Sequence, residues 1–422
     1  MRDSLCEIDI IKTEELLHKY GSPLYVFHSY VFEKAFVKLR TSMRNIYSKY
    51  NIAYSYKTNY TPRICEMVKE MGGLAEVVSD MEYRLAKKIG YENNEIVYNG
   101  PLKGKGMFEH LSVGGVVNVD SLDELMKIIN FAKKNNLKKV KIAFRVNIDI
   151  GQPFVSRFGI DSSIGSENKS DLDRAFDIAR RYENIEVVGL HCHVGKSRSL
   201  ESWENRADAM FKLVDKYFLE PPVFIDFGSG MNSEMESQLS IQFGEKIPSF
   251  SEYASIVAKR MAERYGKLPI ENQPWLYTEP GTTIVSGSMS FLSTVQSIKR
   301  IKGKEYVVFD CSAGNIGEIC KLKRLPINVF HCGKKLEKLN YATFTGYTCL
   351  EHDHIYEGFC GELAVGDIVQ FRNIGSYSNV FKPPFISPNC AMVQINSEGK
   401  DKLIKRSETF DDVFVTYLFK GI

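Results

Sequence analysis

The 422-residue chain lacks both a long apolar run and a long run of charge of one sign. A membrane-spanning helix needs about 18 consecutive apolar residues, so the sequence predicts no membrane partner. Its 55 basic and 52 acidic residues, a net charge of +3, are mixed along the chain. This balance gives no reason to expect a nucleic-acid partner. Acidic residues interrupt the apolar residues of the N-terminus, which argues against a secretion signal.

The nine cysteines also lack a C-x-x-C pair. An odd number of cysteines without that spacing predicts a reduced, cytoplasmic protein without structural zinc or another bound metal. The chain is 44% hydrophobic and 12% aromatic, which is enough to build buried cores. Its length suggests two or three domains.

From about residue 50, short β-branched runs alternate with helical stretches, which is typical of parallel β/α units. The eight runs are 52–56, 74–78, 96–98, 115–119, 140–146, 187–191, 223–226 and 275–278. Eight strands that are each followed by a helix predict an α/β fold, a (β/α)8 TIM barrel. Shorter strands follow at 306–309, 327–330, 343–348, 367–371, 391–395 and 413–418.

Three segments follow from this pattern. Residues 1–25 are predicted to pair with the β domain, 26–285 to form the barrel and 286–422 to form a C-terminal β domain. The carboxyl ends of the barrel strands are polar, and the residues found there are Lys57, Ser79, Asn99, Asp120, Arg145, His191, His193, Asp226 and Glu279. Because barrel enzymes place their chemistry at this face, we expect a common site.

Lys57 directly follows the first predicted barrel strand. Desolvation in a barrel mouth lowers the pKa of an amine and makes it a nucleophile for Schiff-base chemistry. The Gly-rich turn at 226–230 is suited to hold a phosphate through its backbone N–H groups. Together these features favour an aldehyde cofactor with a phosphate group, pyridoxal 5′-phosphate. Glu279 would hold the pyridine nitrogen protonated, and His193 would either stack on the ring or simply bond to backbone.

Several motifs in order extend this interpretation. They are Tyr-Ser-Tyr-Lys-Thr-Asn at 54–59, Gly-Leu-His-Cys-His-Val-Gly at 189–195, Ile-Asp-Phe-Gly-Ser-Gly at 225–230, Glu-Pro-Gly at 279–281, Gly-Tyr-Thr-Cys at 346–349 and Gly-Ser-Tyr at 375–377. Over nearly its whole length the chain resembles the fold-type III pyridoxal-phosphate-dependent decarboxylases, which share an alanine racemase-like barrel. Within that family it most resembles the diaminopimelate decarboxylase branch.

The resemblance implies a role for each matching residue. Lys57 would bind the cofactor covalently, His193 would stack on it, Glu279 would pair with its ring nitrogen and Arg145 would lie nearby. The phosphate would be held by Gly228, Ser229, Gly230, Gly281 and Tyr377. Cys349 would return a proton to the product across a homodimer interface, and Glu351 and Asp353 would bind the distal end of an amino-acid substrate.

Four departures from the family pattern imply a changed substrate. Thr282 stands where relatives usually carry arginine, and Lys196, in place of serine, would donate to the phosphate. The β domain lacks the usual Arg-Pro-x-x-Tyr segment, which leaves Arg324 as a candidate for the substrate carboxylate. Leu350 follows Cys349 where an acid is usual.

The sequence therefore predicts decarboxylation of an amino acid or amino-acid conjugate, free or bound to a carrier, in a specialised biosynthetic pathway. The alternatives are a true meso-diaminopimelate decarboxylase of lysine biosynthesis, an amino-acid racemase, and a catalytically inactive binding protein.

Overall fold

A computed structural model describes residues 6–152, 154–165, 168–333 and 335–420. The chain divides into two compact units. The barrel unit comprises Phe36–Asn232 and Ile247–Thr283, and the β unit takes the chain up to Ala35, Ser233–Lys246 and the chain from Ile284 onward.

Residues 26–35 and 233–246, which the sequence pattern assigned to the barrel, thus belong to the β unit. Local contacts explain both differences. The strand Leu24–His28 pairs with two strands of the β sheet. Glu236 forms a buried, bidentate ion pair with Arg372, with N–O distances of 2.8 and 2.5 Å. The boundary after Thr283 lies close to the expected one at 285.

The barrel unit contains a closed ring of eight parallel strands. These are Tyr50–Ser55, Leu74–Val77, Ile96–Tyr98, Val116–Val119, Val140–Asn147, Ile185–His191, Phe224–Asp226 and Trp275–Thr278. The last strand pairs with the first, which closes the ring. The predicted TIM barrel is therefore confirmed. A two-residue strand, Ile160–Asp161, pairs with the fifth strand of the ring outside it.

Helices follow the barrel strands in sequence. The main ones are Ser29–Arg44, which precedes the first barrel strand, and then Pro62–Glu70, Asp80–Ile89, Gly106–Ser112, Leu122–Lys134, Asp171–Arg180, Leu200–Tyr217 and Phe250–Tyr265. Serine side chains accept a backbone hydrogen bond at the start of five of them, and these caps are Ser79, Ser121, Ser170, Ser199 and Ser249. A capped first turn fixes where each helix leaves its loop. Ser79, one of the polar residues predicted at the strand ends, thus begins a helix.

The β unit is built on one nine-stranded sheet. Its strands are Leu24–His28, Met289–Ile301, Lys304–Phe309, Ile327–Phe330, Glu337–Thr345, His354–Leu363, Ile368–Arg372, Ala391–Ile395 and Asp401–Lys405, and the helix Ile10–Tyr20 precedes them. Leu24–His28 runs antiparallel to Met289–Ile301 and parallel to Ala391–Ile395. Its buried Leu24 and Val26 pack with Leu16, Leu292 and Val393.

The strand predicted at 413–418 is wrong. The structure has a short helix, Phe410–Phe414, at that position. Thr409 and Asp412 form a reciprocal capping box that stabilises a helical start despite the β-branched residues. No helix among the described residues combines the length and the apolar composition needed to cross a lipid bilayer.

Candidate active site

Each barrel strand places one buried polar side chain near its carboxyl end. The eight residues are Ser55, Glu76, Asn99, Asn118, Arg145, His191, Asp226 and Glu279. Side chains alternate between the two faces of a strand, and the residue two positions earlier is apolar or glycine in every case. The carboxyl half of the barrel interior is thus polar and its amino half is apolar.

Glu279 is a buried carboxylate, 2% exposed, at the centre of this polar set. His191 donates from Nε2 to Glu279 Oε2 at 3.1 Å, and Asn99 donates from Nδ2 to Oε1 at 2.5 Å. Burial alone would raise the pKa of this carboxyl, but the hydrogen bond and charge of His191 and the charge of Lys57 outweigh it. The pKa of Glu279 therefore lies below its usual range, and the group is ionised at neutral pH.

The Asn99 amide links two buried carboxylates. Its Nδ2 donates to Glu76 Oε1 at 2.9 Å as well as to Glu279, and its Oδ1 accepts from Asn118 Nδ2 at 2.7 Å. An amide with both donors and its acceptor engaged cannot flip without losing these bonds. The network therefore fixes the positions of Glu76 and Glu279 relative to each other.

Lys57 faces the same network. Its Nζ donates to Glu76 Oε2 at 2.6 Å, and Ser55 Oγ donates to the same oxygen at 2.6 Å. The Lys57 side chain is 32% exposed, whereas Glu76 is fully buried. An amine paired with a buried carboxylate at the edge of a cavity is positioned to lose a proton and act as a nucleophile.

His193 lies against the Gly-rich turn. The backbone N–H of Ser229 donates to His193 Nδ1 at 3.2 Å. Burial, and after it the charge of Lys57, holds the pKa of this imidazole well below its ordinary value. The ring is therefore neutral. A Cβ at Gly228, whose φ is 58°, would clash with the Cys192 carbonyl, so glycine is required for this close approach.

Asp226 supports the turn from beneath. Its Oδ1 accepts from the Gly228 N–H at 2.8 Å, and its Oδ2 has no partner among the described residues. Ligand atoms of Asp226, His191 and Glu279 lie within 4.8 Å of one another. Burial first, and then the charge of Glu279, raises the pKa of Asp226 well above its usual range. Asp226 is thus the protonated member of this pair of acids.

A cavity of about 580 Å³ opens over these groups. The predicted site residues in its wall are Lys57, Arg145, His193, Lys196 and Glu279. Arg145 lies 3.4 Å from Asp120 and 4.8 Å from the Phe158 ring, and Lys196 lies 5.7 Å from the Phe154 ring. Three cationic side chains over two buried carboxylates suit a ligand that carries both anionic groups and a basic nitrogen.

Buried ion pairing also fixes one loop of this cavity. Lys103 Nζ donates to both oxygens of Glu124 at 2.8 and 2.7 Å and to the Gly100 carbonyl at 2.6 Å. Glu124 in turn accepts from the Asp120 N–H at 2.7 Å. This pair ties the loop after Asn99 to the loop that carries Asp120. The Lys103 to Glu124 pair was not among the predicted site residues.

The remaining predicted residues belong to the β unit. Cys349 and Glu351 are exposed, and so is Arg324, whose backbone N–H donates to Gln242 Oε1 at 2.9 Å. Tyr377 has a left-handed backbone with φ 53°, and its ring centroid lies 5.3 Å from that of Phe381. Their contacts with cofactor and substrate stay predictions.

Asp353 is buried and fully engaged with its own chain. Its Oδ1 accepts from the Ala313 N–H at 2.7 Å, and its Oδ2 accepts from the Thr348 N–H at 3.2 Å and hydroxyl at 2.6 Å. These bonds join the segment before Cys349 to the helix Ala313–Ile316. Asp353 therefore positions the cysteine loop, whatever else it contacts.

Replacing Asp353 with Ala is expected to lower the free energy of unfolding by about 2–3 kcal/mol, because three buried donors lose their acceptor. Chemical denaturation measures the loss, and the rate at which a thiol reagent modifies Cys349 should rise. The matched control is Glu351→Ala, an exposed acid two residues away, which should stay within about 0.5 kcal/mol of the wild type. Equal losses in the two variants would contradict the positioning role.

Sequence reasoning overlooked three members of the polar set. Ser55, Glu76 and Asn118 lie inside the strands, whereas the prediction concentrated on the residues that follow them, Lys57, Ser79 and Asp120. Glu76 carried a usable signal, because an acid within an otherwise apolar strand must be paired when it is buried. Asn118 carried a weaker one.

Comparison with known proteins agrees with this geometry. A model of the family described as pyridoxal-dependent decarboxylase, pyridoxal binding domain, matches residues 33–286. Diaminopimelate decarboxylase from Archaeoglobus fulgidus is 25% identical over 97% of this chain and 96% of its own length. The decarboxylase of L-glutamyl-BtrI acyl-carrier protein from Niallia circulans is 22% identical over 97% of each chain.

Solved structures share the fold. Diaminopimelate decarboxylase from M. jannaschii, in complex with L-lysine, gives a TM-score of 0.80 at 22% identity and covers 96% of this chain and 94% of its own. Lysine decarboxylase from Selenomonas ruminantium gives 0.72 at 18% identity, over 94% of this chain and 98% of its own. Since the family model spans the whole barrel and its network of lysine, histidine and glutamate, the chain belongs to the pyridoxal-dependent decarboxylases.

Proposed function

We propose that this pyridoxal-phosphate-dependent decarboxylase acts on an amino acid, or on an amino-acid conjugate, other than meso-diaminopimelate. The observation that carries the proposal is the acid pattern beside Cys349. Leu350 takes the position directly after the cysteine, Asp353 is committed to backbone, and Glu351 is exposed one residue further on. A distal ammonium group would meet a different arrangement of charge there than the family pattern provides.

The residues of the barrel fit the cofactor. Lys57 supplies the amine for its aldehyde, the neutral His193 ring supplies a stacking face and ionised Glu279 supplies a partner for a protonated ring nitrogen. Gly228–Gly230, Gly281 and Tyr377 would hold the phosphate. When bound, pyridoxal phosphate supplies an electron-withdrawing ring that stabilises the negative charge left on the substrate α-carbon.

The chain's own groups manage the protons. Glu76 lies 2.6 Å from Lys57 Nζ and accepts the proton that the amine must lose before it attacks. His191 and Asn99 keep Glu279 ionised, so that it attracts a proton at the ring nitrogen throughout turnover. Cys349 is proposed as the acid that returns a proton to the α-carbon, since an ordinary thiol is mostly protonated at neutral pH.

A steady-state comparison of substrates tests the proposal. The panel is meso-diaminopimelate, lysine, ornithine, arginine, glutamate and a glutamyl group loaded on an acyl-carrier protein, with CO₂ release as the readout. We expect kcat/KM for one of the other substrates to exceed that for meso-diaminopimelate by at least about tenfold, or 1.4 kcal/mol. Turnover of meso-diaminopimelate that is as efficient as that of any other substrate would overturn the proposal in favour of the true diaminopimelate decarboxylase, which the names of several relatives support.

The active form is proposed to be a homodimer with shared sites. Co-expression of Lys57→Ala and Cys349→Ala chains should then recover about a quarter of the wild-type activity, because half of randomly formed dimers are heterodimers with one intact site of two. Each variant alone is the control and should be nearly inactive. Absence of recovery from a verified heterodimer would show that each site is completed by a single chain.

A further inference from the structure

A second cavity of about 360 Å³ lies within the barrel unit, near the amino ends of the strands. Its walls include Leu74, Val97, Val116, Phe224, Trp275 and Tyr277. Among the described residues it shares no lining side chain with the 580 Å³ cavity. Nothing in the decarboxylation chemistry accounts for it.

Small residues on the barrel axis explain the empty volume. The interior of a TIM barrel is usually filled by bulky branched side chains. Here Ala53, Ala143 and Gly189 stand two positions before Ser55, Arg145 and His191 on their strands. The interior is therefore underfilled beneath the polar set.

One wall of this lower cavity is a row of aromatic rings. The Phe224 and Tyr277 centroids are 5.4 Å apart with planes at 33°, and those of Trp275 and Tyr277 are 6.1 Å apart at 21°. The Trp275 and Tyr277 side chains are only partly buried, and exposed Asn94 and Lys141 line the opening. Near-parallel rings beside an open cavity form a surface on which a flat molecule can stack.

Asn118 supplies an unused acceptor at the inner end of the cavity. It is 2% exposed, lines the cavity and donates from Nδ2 to Asn99. Its Oδ1 has no hydrogen-bond partner within the described part of the chain. A buried acceptor without a partner is costly, so the site favours a ligand that brings an N–H or O–H donor.

We infer that the lower cavity binds a small flat aromatic molecule with one N–H or O–H donor, stacked against the Trp275 and Tyr277 rings and donating to Asn118 Oδ1. Because Asn118 also donates to Asn99, and Asn99 donates to Glu279, the bound molecule touches the amide network of the catalytic carboxylate from the opposite side. The site is independent of which amino acid is decarboxylated.

The probe for this site is 5-fluoroindole, a flat ring with one N–H, titrated into the protein with pyridoxal phosphate bound and followed by ¹⁹F NMR. We expect saturable binding that a substrate amino acid does not displace. Val116→Phe, which fills the cavity, and Trp275→Leu, which removes the stacking wall, should each weaken binding at least about tenfold. Val365→Phe, at an exposed valine of the β unit, is the matched control and should leave it unchanged.

The N–H donor is tested separately with N-methyl-5-fluoroindole, which should bind at least about tenfold more weakly. Decarboxylation rates and circular dichroism show whether Val116→Phe and Trp275→Leu have folded, and either variant alone is sufficient for the test. An absence of saturation in the wild type, which would indicate that ordered water alone occupies the cavity, overturns the inference. Unchanged binding in a folded variant, or equal binding of the methylated probe, overturns it as well.

Discussion

Replacing Glu279 with Gln is expected to lower kcat by at least about 100-fold, which is the scale on which loss of a preorganised charge acts. The amide keeps the shape of the side chain and retains a neutral partner for His191, but it removes the ionised oxygen that His191 and Asn99 hold in place. Steady-state CO₂ release measures the effect, and equilibrium binding of pyridoxal phosphate shows whether the loss lies in chemistry or in cofactor retention.

The control is Glu263→Gln, at an exposed position on the helix Phe250–Tyr265, which should retain full activity. The lowered pKa of Glu279 also sets the sign of its pH effect. The folded state favours the ionised form, so its contribution to stability is complete above the unfolded pKa of about 4.3 and is lost only as pH falls further. A kcat for Glu279→Gln within twofold of the wild type would show that this carboxylate is structural.

Replacing Lys57 with Ala is expected to abolish covalent attachment of the cofactor and to lower kcat at least about 1000-fold, as removal of a catalytic nucleophile does. Borohydride reduction followed by mass spectrometry of the peptides measures the attachment directly. The wild type should carry the reduced cofactor on Lys57, and the variant should carry none.

Lys57→Arg separates the two roles of this residue. Arginine keeps a cation beside Glu76 but stays protonated and does not attack an aldehyde. We therefore expect Lys57→Arg to lose attachment and activity as Lys57→Ala does, while retaining more thermal stability, because the buried Glu76 carboxylate keeps a charged partner. Cofactor attached at another lysine in the wild type would contradict the assignment of Lys57.

The barrel could be predicted from the sequence because its strands are short apolar runs at regular spacing, and because their closing residues are polar. Lys57 and Glu279 directly follow such runs, so their positions at the carboxyl face follow from the fold alone. The contacts between them do not. Asn99 and Glu279 are 180 residues apart in sequence, and only ring closure makes the Asn99 amide a bridge between Glu76 and Glu279.

Side chains that serve the chain itself were harder to recognise. Asp353 resembles a substrate acid in the sequence because it lies four residues from Cys349, yet its carboxylate accepts bonds from Ala313 and Thr348. The place of residues 233–246 depends on the pairing of Glu236 with Arg372, which no local pattern reveals. Such contacts join distant segments, and sequence periodicity carries no information about them.

The position of the strand Leu24–His28 has a consequence for how the protein is made. The strand leaves the ribosome early, but its two neighbours in the sheet, Met289–Ile301 and Ala391–Ile395, are synthesised near the end of the chain. Both edges of this buried strand must stay unpaired through most of translation, a state prone to association with other chains. The β unit therefore completes its sheet only after nearly all of the polypeptide has been released.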